Sequence, residues 1–326
     1  MNNFSYTEAQ SVTAAAAEAA NQSHAKFIAG GTNLIDLMKY RIENPERLID
    51  ITQLALNDIS NREDGGLRLG ALVTNADTAY HPEVENRYPL LAQAILSGAS
   101  AQLRNAATNG GNLLQRTRCY YFYDTATPCN KREPGSGCSA IGGFNRLCGV
   151  LGTSESCIAT HPSDMCVALA ALGATVQVTG ADGKRSIPFL EFHRLPGDTP
   201  HIDTNLQTDE VITAIDLPKK GFAKNCSYVK VRDRSSYAFA TVSAAAALTL
   251  DGDKIEEVRL ALGGVAHKPW RIPEAEQTPV GMMADRAAFQ KLAEAYLQGA
   301  KGFEHNAFKI ELAKKTIVRA LEECLS

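Results

Sequence analysis

The sequence predicts an α+β protein of three units, and three observations carry that reading. Two glycine turns, Gly30-Gly31-Thr32-Asn33 and Asn109-Gly110-Gly111-Asn112, interrupt stretches of mixed strand and helix pattern. A polar stretch rich in Pro, Gly and Cys runs from about Arg116 to Gly149, longer than a structureless connection inside a compact domain ordinarily is. From Phe222 onward, alternating apolar segments give way to two amphipathic helices. A chain of 326 residues suits two or three compact units at roughly 100–200 residues each.

In the first unit, residues 1–55, Ser5 or Thr7 is expected to cap an Ala-rich helix reaching about Ala20. Lys26-Phe27-Ile28-Ala29 reads as a short buried strand that ends at the first glycine turn, Leu34 to Tyr40 has helical spacing, and Arg47 to Ile51 reads as another strand. The second unit, residues 56–218, opens with a strand from Gly66 to Val73 and a helix capped by Thr74 or Asn75, followed by an apolar helix from Pro89 to Leu96. The second glycine turn lies within Ala107 to Leu113. After the cysteine-rich stretch, Ser163 caps a helix to Leu172, and Thr175–Val178 and Lys184–Ile187 form a hairpin around Ala181-Asp182-Gly183. In the third unit, residues 222–326, strands are expected at Ser227–Arg232, Ala238–Leu250 and Glu257–Gly263, with Asp251-Gly252 as a hairpin turn. Helices near Asp285–Leu297 and Lys309–Leu325 close the chain.

Composition narrows the function. Hydrophobic content of 44% with 21% charged residues is ordinary globular chemistry. The net charge of -3, with no basic stripe, argues against nucleic acid as a main partner, because phosphate neutralisation needs clustered Lys and Arg. No apolar run approaches the roughly 20 residues that span a bilayer, so no membrane insertion is expected. The N-terminal stretch from Met1 to Gln10 lacks the basic region and apolar run of a secretory signal.

The glycine turns point to an anionic ligand. Glycine lets backbone approach a ligand closely, and the amides of the following helix start accept a group such as pyrophosphate. Taken alone, Gly30-Gly31-Thr32 reads first as a plain strand–helix turn, and neither GxGxxG nor GxxxxGK[ST] occurs. Two such turns about 80 residues apart suit a long ligand such as FAD in a crevice between units. Ser163-Asp164 is an ordinary helix cap or a pair of ribityl or ribose ligands. Six of the eight cysteines (Cys119, Cys129, Cys138, Cys148, Cys157 and Cys166) are clustered, which reads as metal or redox chemistry before disulfides. Spacing leaves an iron–sulfur cluster, a Cys₄ zinc site, disulfides and free buried thiols all open, since the compact C-x₂-C-x₂-C pattern is absent.

Several segments carry a family resemblance. Phe27-Ile28-Ala29-Gly30-Gly31-Thr32-Asn33-Leu34 resembles the pyrophosphate loop of the vanillyl-alcohol-oxidase-type FAD domain, and Asn105-Ala106-Ala107-Thr108-Asn109-Gly110-Gly111-Asn112 resembles its second FAD loop. Ala159-Thr160-His161-Pro162-Ser163-Asp164 is similar to the Ser-Asp contact of xanthine dehydrogenase-family flavoproteins. Tyr228-Val229-Lys230 and Ala261-Leu262-Gly263-Gly264-Val265-Ala266 resemble the family's C-terminal, CO-dehydrogenase-flavoprotein-like domain. The resemblance covers essentially the whole chain. It implies a two-part FAD domain (1–55 and 56–218, the latter with an insertion over about 116–157) and an α+β C-terminal domain (222–326).

The resemblance also implies roles. FAD would be held by Lys26, Phe27, Ile28, Ala29, Gly30, Gly31, Thr32, Asn33 and Leu34, by Thr108, Gly111 and Asn112, and by Ser163, Asp164, Ile212 and Lys230. A minority of the family carries a cysteine-rich insertion that binds a [4Fe–4S] cluster; here the expected ligands are Cys119, Cys129, Cys138 and Cys157, with Cys148 and Cys166 as buried neutral thiols. The implied function is the FAD subunit of a heterotrimeric molybdenum aldehyde oxidoreductase. Its partners would be a small subunit with [2Fe–2S] clusters and a large subunit with molybdenum–molybdopterin cytosine dinucleotide, and its electrons would go to an external acceptor. Such a complex would be exported folded to the periplasm on a partner's signal, or stay cytoplasmic if the partner lacks one. Two other functions compete: a stand-alone FAD oxidoreductase, for which no Ser/His/Asp set or H-E-x-x-H is visible, and a zinc-stabilised scaffold. The scattered histidines, His161 and His267 among them, read as structural.

Overall fold

The protein, described here by a computed structural model covering Met1–Ser326, contains three sheets laid out along the chain. The first is wholly parallel: β1 (Ser5–Glu8) and β2 (Ala25–Ile28) flank β3 (Arg47–Asp50). Residues 5–8 are therefore a strand and not the start of a helix. Ser11 is the cap, its hydroxyl accepting the amide of Ala14 at the head of helix Val12–Ala20. Pairing with β3 from Arg47 to Asp50, distant in sequence, overrides the local capping signals of Ser5 and Thr7. The helix buries Ala15, Ala16 and Ala19, small enough for close approach to the sheet.

The second sheet is antiparallel and five-stranded, in the order β4 (Ile59–Asn61), β5 (Leu67–Gly70), β8 (Val211–Leu217), β6 (Thr175–Gly180), β7 (Gly183–Pro188). The third is also antiparallel, β9 (Cys226–Val231) and β11 (Lys254–Gly263) flanking β10 (Val242–Asp251). β10 begins later and β11 earlier than the alternation suggests, because Asp251 pairs with Lys254 and sets the register of the hairpin. Helices Arg286–Tyr296 and Phe308–Glu323 cover this sheet with Phe289, Leu292, Ile317 and Leu321.

Helix Asp164–Leu172 explains how the units join. All nine of its residues are buried, so it is apolar all round rather than amphipathic. It packs against helix Pro89–Ser97 on one side and against β10 and β11 on another, and Gly173 ends it in the left-handed conformation at φ 72°. Its N-terminus is thereby fixed where the second and third sheets meet.

The segment around the second glycine turn is a short helix, Asn109–Leu113, capped by Thr108, rather than an open turn. The two glycine turns touch. A Cβ on Gly30 would lie 1.8 Å from the carbonyl oxygen of Ala106. Gly30→Ala must therefore part the turns, at a cost of about 1–3 kcal/mol typical of overpacking. A lowered thermal midpoint is expected, and unchanged stability in that variant would show that the two turns do not depend on their contact.

Candidate functional site

The expected flavin residues form one line of contacts across the three units. Gly31, at φ 69°, turns the chain out of β2 and aims it into helix Leu34–Lys39. Phe27, Ile28 and Ala29 are half-buried on the way in, and Lys26 lies 3.7 Å from Glu43. Beyond Thr32, Asn33 donates to Leu114 O at 3.4 Å and accepts from Arg118 at 3.4 Å, so the first turn meets the chain that leaves the second. There the Thr108 hydroxyl accepts the amide of Gly111 at 3.2 Å, and Asn112 is held between Asn75, to which it donates at 2.6 Å, and Ser163, which donates to it at 2.5 Å. The Ser163 hydroxyl also caps its helix by accepting from the amide of Cys166 at 3.1 Å.

Asp164 ends the line. It accepts from the Tyr228 hydroxyl at 2.6 Å and from Lys230 Nζ at 2.8 Å, both from β9. Lys230 also donates to Ser97 O at 3.0 Å. Burial, reinforced by the Asp164 charge, holds the Tyr228 hydroxyl well above its ordinary range, so it remains a donor. Ile212 stands apart from the polar line, buried in β8 with its Cβ facing Gly110.

Next to Ser163 and Asp164 lies a cleft lined by Thr117, Arg118, Cys119, Cys148, His161 and Phe239 together with Ser243, Gly263 and Gly264. Arg118, Phe239 and Ser243 carried no motif in the sequence. Arg118 stacks over the rings of Tyr123 and Phe239, at 5.8 and 5.1 Å, a pairing between segments far apart in the chain.

Behind that cleft, Cys119, Cys129, Cys138 and Cys157 all line a second, smaller cavity with Lys131 and Tyr121. Thr117, Cys119 and Ala159 belong to both walls. Cys129 and Cys138 face each other as a β-bridge. The Cys119 thiol is lowered to about 7, chiefly by a hydrogen bond with Cys148, with burial opposing and the amides of Phe122 and Tyr121 assisting. Burial pushes Cys157 up to about 12 and raises Cys138 as well. Cys148 is buried as expected, yet it lies beside Cys119, nearer the four cavity cysteines than its apolar sequence context implied. Cys166 is fully buried in its helix. The loop is anchored by charge: Lys131, itself buried, pairs with Asp203 and donates to Pro200 O, while Arg116 bridges Asp203 at 2.8 Å and Glu43 at 2.5 Å.

His161, Cys166 and His193 bring their ligand atoms within 4.8 Å of one another, the one such trio in the protein. The His161 ring argues against a metal there. Its Nδ1 accepts the Ser163 amide at 3.3 Å, which leaves the proton on Nε2, where a metal would have to bind. His193 and His267 hold backbone carbonyls of Leu113 and Arg194 at 2.8 Å.

Similarity to known proteins places the chain that carries this geometry. Residues 2–220 match the family described as the FAD binding domain in molybdopterin dehydrogenase, and residues 227–324 match the CO dehydrogenase flavoprotein C-terminal domain. The chain belongs to the FAD-binding subunits of the molybdenum hydroxylase family, and its cofactor is FAD. It is 51% identical over 324 residues (99% of this chain, 98% of the relative) to the aldehyde oxidoreductase FAD-binding subunit PaoB of Escherichia coli (strain K12). It is 30% identical over 278 residues (85% of this chain, 81% of the relative) to the glyceraldehyde dehydrogenase medium chain of Sulfolobus acidocaldarius. In structure it resembles the carbon monoxide dehydrogenase of Hydrogenophaga pseudoflava, with a TM-score of 0.78, 26% identity, and coverage of 99% of this chain and 98% of that one. No helix is long and apolar enough to cross a membrane.

The buried histidines predict an acid sensitivity. Burial, the largest influence on each, lowers both His193 and His267 to about 4. An unfolded histidine titrates near 6.5, so the unfolded chain binds more protons between these values. Stability is then complete above pH 6.5 and is lost as the pH falls toward 4. Denaturant midpoints should decline from pH 7 to pH 5, less steeply in His267→Gln. A midpoint that stays flat over that range would contradict the assignment.

Proposed function

We propose that this chain is the electron-transfer subunit of a molybdenum-dependent aldehyde oxidoreductase, taking electrons from partner subunits through FAD to an external acceptor. The observation that carries this reading is the shared wall of the two cavities. Thr117, Cys119 and Ala159 border both the cleft beside Ser163-Asp164 and the cavity lined by four cysteines. Two redox groups so placed would be within a few residues' thickness of each other. The name of the 51% identical relative supports aldehyde as the substrate class.

On this reading residues 1–55 and 56–218 are the two parts of the FAD domain and 222–326 the C-terminal domain. Lys26 to Leu34 approach the pyrophosphate with backbone amides, Thr108, Gly111 and Asn112 form the second loop, and Ser163 and Asp164 hold ligand hydroxyls. Lys230 acts by fixing Asp164, and Ile212 by packing under the second loop. FAD, when bound, supplies two-electron chemistry that no side chain here could perform.

Cys119, Cys129, Cys138 and Cys157 are proposed to hold a [4Fe–4S] cluster. Four sulfurs on one cavity are the donor set such a cluster takes. The amides of Phe122 and Tyr121 at Cys119, and that of Ala159 donating to Cys157 at 3.4 Å, supply the hydrogen bonds that cluster-ligating sulfurs need. A small [2Fe–2S] subunit and a large subunit with molybdenum–molybdopterin cytosine dinucleotide would complete a heterotrimer, exported to the periplasm on a partner's signal.

Co-purification of the native assembly with flavin, iron and molybdenum analysis tests the whole reading. Single Cys→Ser variants at the six clustered cysteines should lose iron at positions 119, 129, 138 and 157 and retain it at 148 and 166. Loss at 148 with retention at 129 would replace one ligand by the other. Gly31→Val should give folded protein depleted in FAD, since a branched side chain at φ 69° distorts the loop whose amides face the pyrophosphate. Full flavin occupancy in that variant would remove the pyrophosphate assignment. The separated subunit should oxidise no aldehyde, and turnover by it alone would favour a stand-alone oxidoreductase.

A further inference from the structure

Lys309 is a fully buried lysine at the head of the last helix. Its three ammonium protons are matched by three carbonyls: Cys148 O at 2.8 Å, Leu147 O at 3.5 Å, and Gly264 O. Carbonyl dipoles satisfy its hydrogen bonds but leave its charge uncompensated. The buried Lys131, by contrast, pairs with Asp203, and the side chain of Lys230 pairs with Asp164. Around Lys309 the groups that bear on its charge are Cys148, a neutral thiol, and Arg146, a second cation that pairs outward with Asp233. Burial accordingly pulls Lys309 down to about 8.

A buried charge without a counter-ion is expensive enough that proteins rarely keep one idle. Leu147, Cys148 and Gly264, whose carbonyls grip the ammonium, all line the cleft beside Ser163 and Asp164. The positive charge thus stands one peptide layer behind the cleft wall. A second tie holds this layer in place: Asn306 donates to Cys148 O at 3.3 Å and Gly149 O at 3.1 Å, without contributing any charge.

We infer that Lys309 is an electrostatic positioning residue for flavin reduction: its ammonium, paired with no carboxylate, stands behind the cleft wall and stabilises the negative charge that reduction places in the cleft. The inference rests on the proposal that the flavin ring occupies this cleft. Two electrons from aldehyde oxidation in the partner subunits, with one proton from water, leave one net negative charge on the bound flavin. Lys309 supplies the facing positive charge and itself gains and loses nothing. In a region shielded from water such an interaction is felt more strongly than at the surface.

The test is a spectroelectrochemical titration of the flavin in the assembly as purified, with flavin content measured first. Absence of flavin from the wild-type protein would sink the cofactor placement rather than the role of Lys309. In Lys309→Met the reduction equilibrium should shift about tenfold toward oxidised flavin, equivalent to about 30 mV for a two-electron couple. Asn306→Ala, which loosens the shared Cys148 carbonyl without removing charge, should lower thermal stability and leave the potential in place. Lys309→Arg should retain the wild-type potential. An unchanged potential in flavin-loaded Lys309→Met overturns the inference, as does an equal shift in Asn306→Ala. Should Lys309→Met not fold, Lys309→Gln is read by the same criteria. Failure of both neutral variants to fold while Lys309→Arg folds would assign the charge to folding and overturn the inference as well.

Discussion

A single buried carboxylate organises the junction on which the site depends. Asp164 stands at the first position of a helix buried on every side and accepts from both Tyr228 and Lys230 of β9. Two charge-assisted bonds in a water-poor setting fix the helix start against the third sheet. Ser163, one residue earlier, reaches the opposite way to Asn112 of the second glycine turn. One helix N-terminus thereby ties the second glycine turn to the C-terminal sheet. The cleft lies between that helix start, the C-terminal sheet and the cysteine-rich stretch.

The cysteine-rich stretch is ordered by a different force. It has little regular structure and no large apolar core of its own; the small apolar groups around Cys129 and Cys148 contain only three buried residues each. Ion pairs and carbonyl contacts take the place of a core. Lys131 and Arg116 converge on Asp203, which they hold well below the usual carboxylate range although burial pushes the other way. On the far side Lys309 and Asn306 grip the carbonyls of Cys148 and Gly149. The loop is stretched between these two anchors, and the thiols face inward between them.

The relation to known flavoproteins agrees with this physical account. Family membership spans both the flavin domain and the C-terminal domain, and the contacts that join them run through motif residues on both sides. Arg118 and Phe239, by contrast, belong to no motif, and they meet only because the cysteine loop and the β9–β10 connection close over the same cleft.

What the sequence determined by itself was whatever depends on short-range chemistry. Gly30-Gly31 announced a turn because only glycine accepts φ 69° there without cost, Ser163 announced a helix start through its hydroxyl, and the alternation after Phe222 announced an antiparallel sheet. The expectation failed at Ser5–Glu8, where good capping residues lie in a strand because β3 offers a parallel partner. Only the tertiary structure decided that Cys119 and Cys148 lie side by side, that Asp164 is the meeting point of Tyr228 and Lys230, and that Lys309 lies behind the cleft. These facts join residues between 29 and 161 positions apart in the chain. Burial and charge compensation are properties of the packed surroundings, and no local pattern of residues encodes them.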